Sequence, residues 1–136
     1  MLVPRITLIT LGVTNLQKST GFYRDVFGWE PTKDSNQHIT FFKVHGLLLA
    51  LFDAQALAKD AKVAPQGNGF RQFALAHNVS SKKEVDQAFA NFKSLGVPIS
   101  KPPESTDWGG YSGYIQDLDG HLWEIAFNPF LDPTQL

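Results

Sequence analysis

Along this chain, alternating apolar positions give way to helical spacing and then alternate again, twice over. Residues 5–13 (RITLITLGV) are β-branched and apolar, the pattern of a strand. Thr14 to Gln17 form a capping box, in which Thr14 accepts from a free amide and Gln17 reaches back to the cap. Leu16, Thr20, Tyr23 and Phe27 recur at helical spacing, and Gly28 supplies the left-handed residue that ends a helix. Residues 29–33, 39–44 and 47–52 read as strands, the last two joined by a turn at His45-Gly46. The first half is therefore predicted as βαβββ.

The second half repeats the order. Residues 70–79 (FRQFALAHNV) read as a strand, and Ser81 to Glu84 form a second capping box. Val85, Ala88, Phe89, Phe92 and Leu95 make an apolar helical stripe that Gly96 closes. A short strand over 97–100 ends at Pro102-Pro103, and strands follow over 111–118 and 121–127 around an Asp119-Gly120 turn. Cap, helix stop and turn glycine recur in register, at Thr14 and Ser81, Gly28 and Gly96, Gly46 and Gly120. The prediction is one domain of two modules, about 5–52 and 70–128. The segment 53–69 links them, with a short helical pattern at its start and a polar APQGNG end. Each module has one sheet face left over after its helix packs. Pairing two curved mixed sheets around a central cavity, helices outside, gives an α+β fold.

Composition removes several function classes. With no cysteine among 136 residues there is no disulfide framework, thiolate metal site or cysteine nucleophile. Twelve basic against thirteen acidic residues leave a net charge of −1, with no basic field for nucleic acid. No apolar run reaches the roughly 18 residues that span a membrane, and the start lacks the pattern of a secretory signal, so a cytoplasmic protein is expected. There is no GxGxxG, P-loop or HExxH, and Gly109-Gly110 is too short to cradle a phosphate alone.

The segments VTNLQKSTGFYRDVFGW and GYIQDLDGHLWEIAFNP, with the paired βαβββ order, resemble the vicinal oxygen chelate superfamily. That family includes glyoxalase I, extradiol dioxygenases and bleomycin resistance proteins. The resemblance runs from about Arg5 to Pro129, and the second segment also resembles a glyoxalase-like subgroup with no assigned reaction. It implies a homodimer binding a small organic ligand. Metal-using members carry a ligand on the first and last strand of each module. By that pattern Glu124, four residues after Gly120, stands at a ligand position. Its counterpart four after Gly46 is Ala50, and the first-strand position is Leu8; neither side chain binds metal. The second module's first strand offers Gln72 or Ala74. At most Glu124 and Gln72 remain, where a tightly held divalent metal usually needs three or four protein ligands. His38, His45, His77 and His121 sit at strand ends or turns and do not complete the set.

On the last strand His121, Trp123, Ile125 and Phe127 point one way, as core, and Leu122, Glu124 and Ala126 the other, as cavity wall. Gln72 joins Ala74 and Ala76 on the small-residue face. Glu124 there can pair structurally, bind a polar ligand group, or act as a general base in a partly dry cavity. Tyr114, Gln116 and Phe52 are expected to face the cavity, and Trp108 and Tyr111 to border it in a glycine-containing loop. Two readings follow. One is a metal-free small-molecule-binding protein with an apolar and aromatic cavity. The alternative is a metal-dependent lyase, isomerase or dioxygenase using Glu124 and Gln72, or an enzyme working by Glu124 acid–base chemistry alone.

Overall fold

The apolar alternation of the first strand settles as β1 (Leu8–Val13), which turns Leu11 and Val13 into the core and leaves Leu8 41% exposed. The structure, a computed structural model, describes residues 1–135. These fall into two compact units, residues 1–68 and 69–135. The fold is α+β, with two mixed sheets of three and four strands.

In the first unit α1 (Leu16–Phe27), β2 (Ile39–Val44), β3 (Leu47–Asp53) and α2 (Ala54–Ala61) follow β1, and the sheet order is β1-β3-β2. β1 runs parallel to β3, and β2 antiparallel to it. The core is aromatic. The fully buried Tyr23 ring lies 5.3 Å from Phe22 and from Phe27, 5.8 Å from Phe42 and 6.2 Å from Trp29. A buried 2.7 Å hydrogen bond between the Thr20 and Thr40 hydroxyls ties α1 to β2.

Two expectations change here. The helix cap is Asn15, not the expected Thr14, and its Oδ1 accepts from the Lys18 N–H at 3.0 Å. The spacing from Asn15 puts Lys18, not a glutamine, where a capping box needs its reciprocal acceptor. Asn15→Ala is expected to cost about 1 kcal/mol and Gln17→Ala less than about 0.5 kcal/mol, measured by urea unfolding. Residues 29–33 form no strand. Gly28, at φ 73°, ends α1 with its N–H donating to the Arg24 carbonyl, and the Trp29 N–H donates to the Tyr23 carbonyl at 3.2 Å. Trp29 is thus committed to terminating the helix. Pro31 brings no N–H, and the Thr32 N–H makes a single backbone bond to β2, donating to the Phe41 carbonyl at 2.8 Å.

In the second unit β4 (Leu75–Val79), α3 (Lys82–Ser94), β5 (Ile99–Ser105), β6 (Tyr111–Gln116) and β7 (Leu122–Phe127) form a sheet ordered β4-β7-β6-β5. Ser81 caps α3, its Oγ accepting from the Glu84 N–H at 3.1 Å, while Glu84 accepts from the Ser80 N–H at 2.6 Å. Val85, Phe89 and Phe92 of α3 are buried, as are Ile115, Trp123 and Ile125 of the sheet. Trp123 is core, as its period-two neighbours predict. β4 starts only at Leu75, five residues later than expected. Gln72 adopts φ 67°, and this left-handed turn breaks the extended chain before pairing can begin. β5 is longer than expected and runs through Pro102 and Pro103, which lack ladder donors but are tolerated on an edge strand. No helix among the described residues is long and apolar enough to cross a membrane.

Candidate functional site

The four-stranded sheet has two unlike faces. Tyr111, Gly113, Ile115, Trp123 and Ile125 lie on the side of α3. A Cβ built on Gly113 would meet the Phe89 ring at 2.7 Å, which fixes that side. Ser112, Tyr114, Gln116, Leu122, Glu124 and Ala126 therefore point away from α3.

On this averted face the register draws one line across the sheet. Ala76 of β4 pairs with Glu124 of β7, Glu124 with Tyr114 of β6, and Tyr114 with Lys101 of β5. Side chains at paired positions share a face, so Glu124, Tyr114 and Lys101 stand in a row, Glu124 and Tyr114 both half-buried. The Tyr114 phenol is pushed above its ordinary range. Partial burial is the larger cause, and the Glu124 carboxylate beside it adds charge repulsion and a hydrogen bond; Lys101 opposes the shift. Such a phenol stays protonated and donates, while Glu124 accepts. Lys101 forms a 2.9 Å ion pair with Glu104.

The turn beside the row is pinned by one carboxylate. Asp117, 3% exposed, accepts from the N–H groups of Asp119 and His121, both at 2.9 Å, and so holds the β6–β7 connection. Gln116 pairs with Leu122 next to this turn, adjoining the row.

Of the other residues singled out by sequence, Gln72 lies outside the strand and is exposed, so the alternation that would set it beside Glu124 does not operate. Tyr111 lies on the other face of the sheet. It shares the parity of Gly113 and Ile115, and its hydroxyl donates to Asp86 of α3 at 2.6 Å, beneath the Lys82 ammonium. Trp108, 54% exposed, sits at the tip of the β5–β6 hairpin with its ring folded over Gly110. Phe52 belongs to the first unit, in a row with Gly12 and Ile39. There α2 packs against Gly12, whose missing Cβ would meet Ala54 at 3.2 Å. Lys101 and Glu104 escaped the sequence reading, because β5 was expected to end before they could share a face with Tyr114.

The register relates the first-strand positions of the two units, each extended back by two residues from a paired one. Leu8 lies two residues before Thr10, the partner of Ala50; the matching residue two before Ala76, the partner of Glu124, is Ala74. By this correspondence Leu8 and Ala50 of the first unit match Ala74 and Glu124 of the second. Three of the four have no donor atom. Among the described residues no three His, Cys, Asp or Glu side chains come together as a metal site. This donor set does not fit the metal that the fold family implies.

A pair of mixed sheets, each with a helix on one face, defines a glyoxalase-type fold, and the chain belongs to the Glyoxalase/Bleomycin resistance protein/Dioxygenase superfamily, whose pattern matches residues 5–125. It is similar to a glyoxalase-related enzyme from Fulvimarina pelagi, at 38% identity and TM-score 0.82 over 93% of this chain and 90% of that one. It is also 28% identical to the fosfomycin resistance protein FosX of Listeria monocytogenes, over 91% of this chain and 90% of the relative. A lactoylglutathione lyase from Agrobacterium tumefaciens matches at 28% identity and TM-score 0.72, covering 94% of this chain and 96% of that one.

Proposed function

We propose that this protein binds a small organic molecule against the averted face of its four-stranded sheet, with Glu124 and Tyr114 as polar anchors and no resident metal. The pairing of Glu124 with Tyr114 carries the reading. It sets an acceptor beside a phenol held protonated, on a half-buried surface with apolar neighbours such as Leu122 and Ala126. Sites of this make-up suit small organic ligands. Should chemistry follow binding, Glu124 is the base and Tyr114 the proton donor, which is acid–base catalysis that needs no Lewis acid. Leu8, Ala50 and Ala74 at the remaining ligand positions support the metal-free part.

The neutral dye N-phenyl-1-naphthylamine, an aromatic body with one N–H, tests the site. It is expected to bind chelator-treated protein, and Glu124→Gln is expected to weaken it about tenfold, the worth of a hydrogen bond to a charged acceptor. Fosfomycin, named by a relative, is the first competitor to try. The second reading is a metal-dependent lyase, isomerase or dioxygenase using Glu124 and Gln72, and the lyase named among the similar structures favours its enzymatic part. Elemental analysis separates the two. Stoichiometric metal that disappears in Glu124→Gln would overturn the metal-free proposal.

A further inference from the structure

The edge strand β5 departs from regular pairing at the site. Its register with β6 slips between Ile99 and Lys101 and again between Lys101 and Glu104. In a regular strand, residues three apart face opposite sides. Here the slips, with Pro102 and Pro103 between them, bring Glu104 Oε1 to 2.9 Å from Lys101 Nζ. The bare backbone of Gly113 admits this arrangement. A Cβ there would lie 2.7 Å from the Lys101 carbonyl oxygen and 2.9 Å from the Pro103 nitrogen.

Three local departures, the slips, the prolines and the glycine, thus converge on the placement of one ammonium at the end of the Glu124–Tyr114 row. Irregularities of this kind re-aim side chains next to functional sites. The ion pair they create does not account for them. Its side chains are 43% and 62% exposed, and exposed pairs return little net stability.

We infer that Lys101 determines the specificity of the proposed site, receiving in place of Glu104 the anionic group of a small organic carboxylate, sulfonate or phosphonate. The inference rests on the ligand lying along the Glu124–Tyr114 row. On arrival of the anion the ammonium exchanges one acidic partner for another and is never left unpaired, while Glu104 moves into water at little cost. Glu124, two strands away and so roughly 10 Å across the sheet, repels the same anion. The ligand is thereby oriented, its charged end over β5 and its hydrogen-bond donor over β7. Uncharged ligands gain nothing from Lys101.

The test compares N-phenyl-1-naphthylamine with 1-anilinonaphthalene-8-sulfonate, the same ring system and N–H plus a sulfonate, by fluorescence titration at low salt. Lys101→Met is expected to weaken the sulfonate dye about tenfold or more and to change the neutral dye less than about twofold. Lys101→Arg should keep the preference, and Glu104→Gln should tighten the sulfonate dye about two- to fivefold by removing its competitor. Equal affinity of the sulfonate dye for wild type and Lys101→Met, or equal loss of both dyes, overturns the inference. If Glu124→Gln weakens the neutral dye while Lys101→Met spares the sulfonate dye, the inference fails and the proposed site stands. If Glu124→Gln changes neither dye, both fail together.

Discussion

Replacing Phe42 with alanine is expected to cost about 3–5 kcal/mol, measured as a lower urea midpoint for the first unit. The ring is 1% exposed and lies 5.8 Å from Tyr23 and 6.1 Å from Trp29, at the meeting point of α1 and β2. Truncation removes the transfer energy of the ring and leaves a cavity that neither the helix nor the sheet can collapse to fill. The neighbours aggravate the loss. Tyr23 and Trp29 both form part of the termination of α1, so a gap beside them also loosens that helix end. Trp108→Ala is the contrast. It removes a larger ring, yet that ring is 54% exposed, and the expected change is below about 1 kcal/mol. An equal loss in the two variants would mean that the aromatic cluster is not the core of this unit.

Gly113→Ala is expected to destabilise the second unit by roughly 2–3 kcal/mol and to detach β5. The added methyl would stand 2.7 Å from the Lys101 carbonyl oxygen and from the Phe89 ring, and 2.9 Å from the Pro103 nitrogen. Two of these three are backbone atoms, which cannot swing aside. Gly110→Ala makes a still closer approach, to the Trp108 ring, but meets only the far end of an exposed side chain that can turn into water. Its cost is expected to stay near the ordinary surface value of about 0.5 kcal/mol. Amide exchange checks the mechanism. In Gly113→Ala the β5 and β6 amides should lose protection while the amides of α1 keep theirs. Because Lys101 is carried on β5, the same variant should lose the preference for the sulfonate dye, joining a stability effect to a specificity effect. Uniform protection loss across both units would contradict this account.

The alternation and the helical stripes were enough, by themselves, to determine the class of fold. Helix stops at Gly28 and Gly96 and the inward parity of Trp123 and Ile125 depend on nearest neighbours and on period, which a single chain displays. The same parity places Glu124 on the face opposite the core. Cap choice was narrower, since Thr14 and Asn15 are both good acceptors and only the backbone angles of the first turn select Asn15. Parity also fails wherever the chain leaves the extended state. The left-handed Gln72 cut β4 short, so no alternation carries from Leu75 back to Gln72. Which residues share a row across the sheet is a matter of register between strands far apart in sequence. Two slips on a proline-bearing edge strand, admitted by the bare backbone of Gly113, decided that Lys101 stands beside Tyr114, at the end of the row that Glu124 begins. No period along the chain encodes a slip, because it is fixed by the fit of one strand against another.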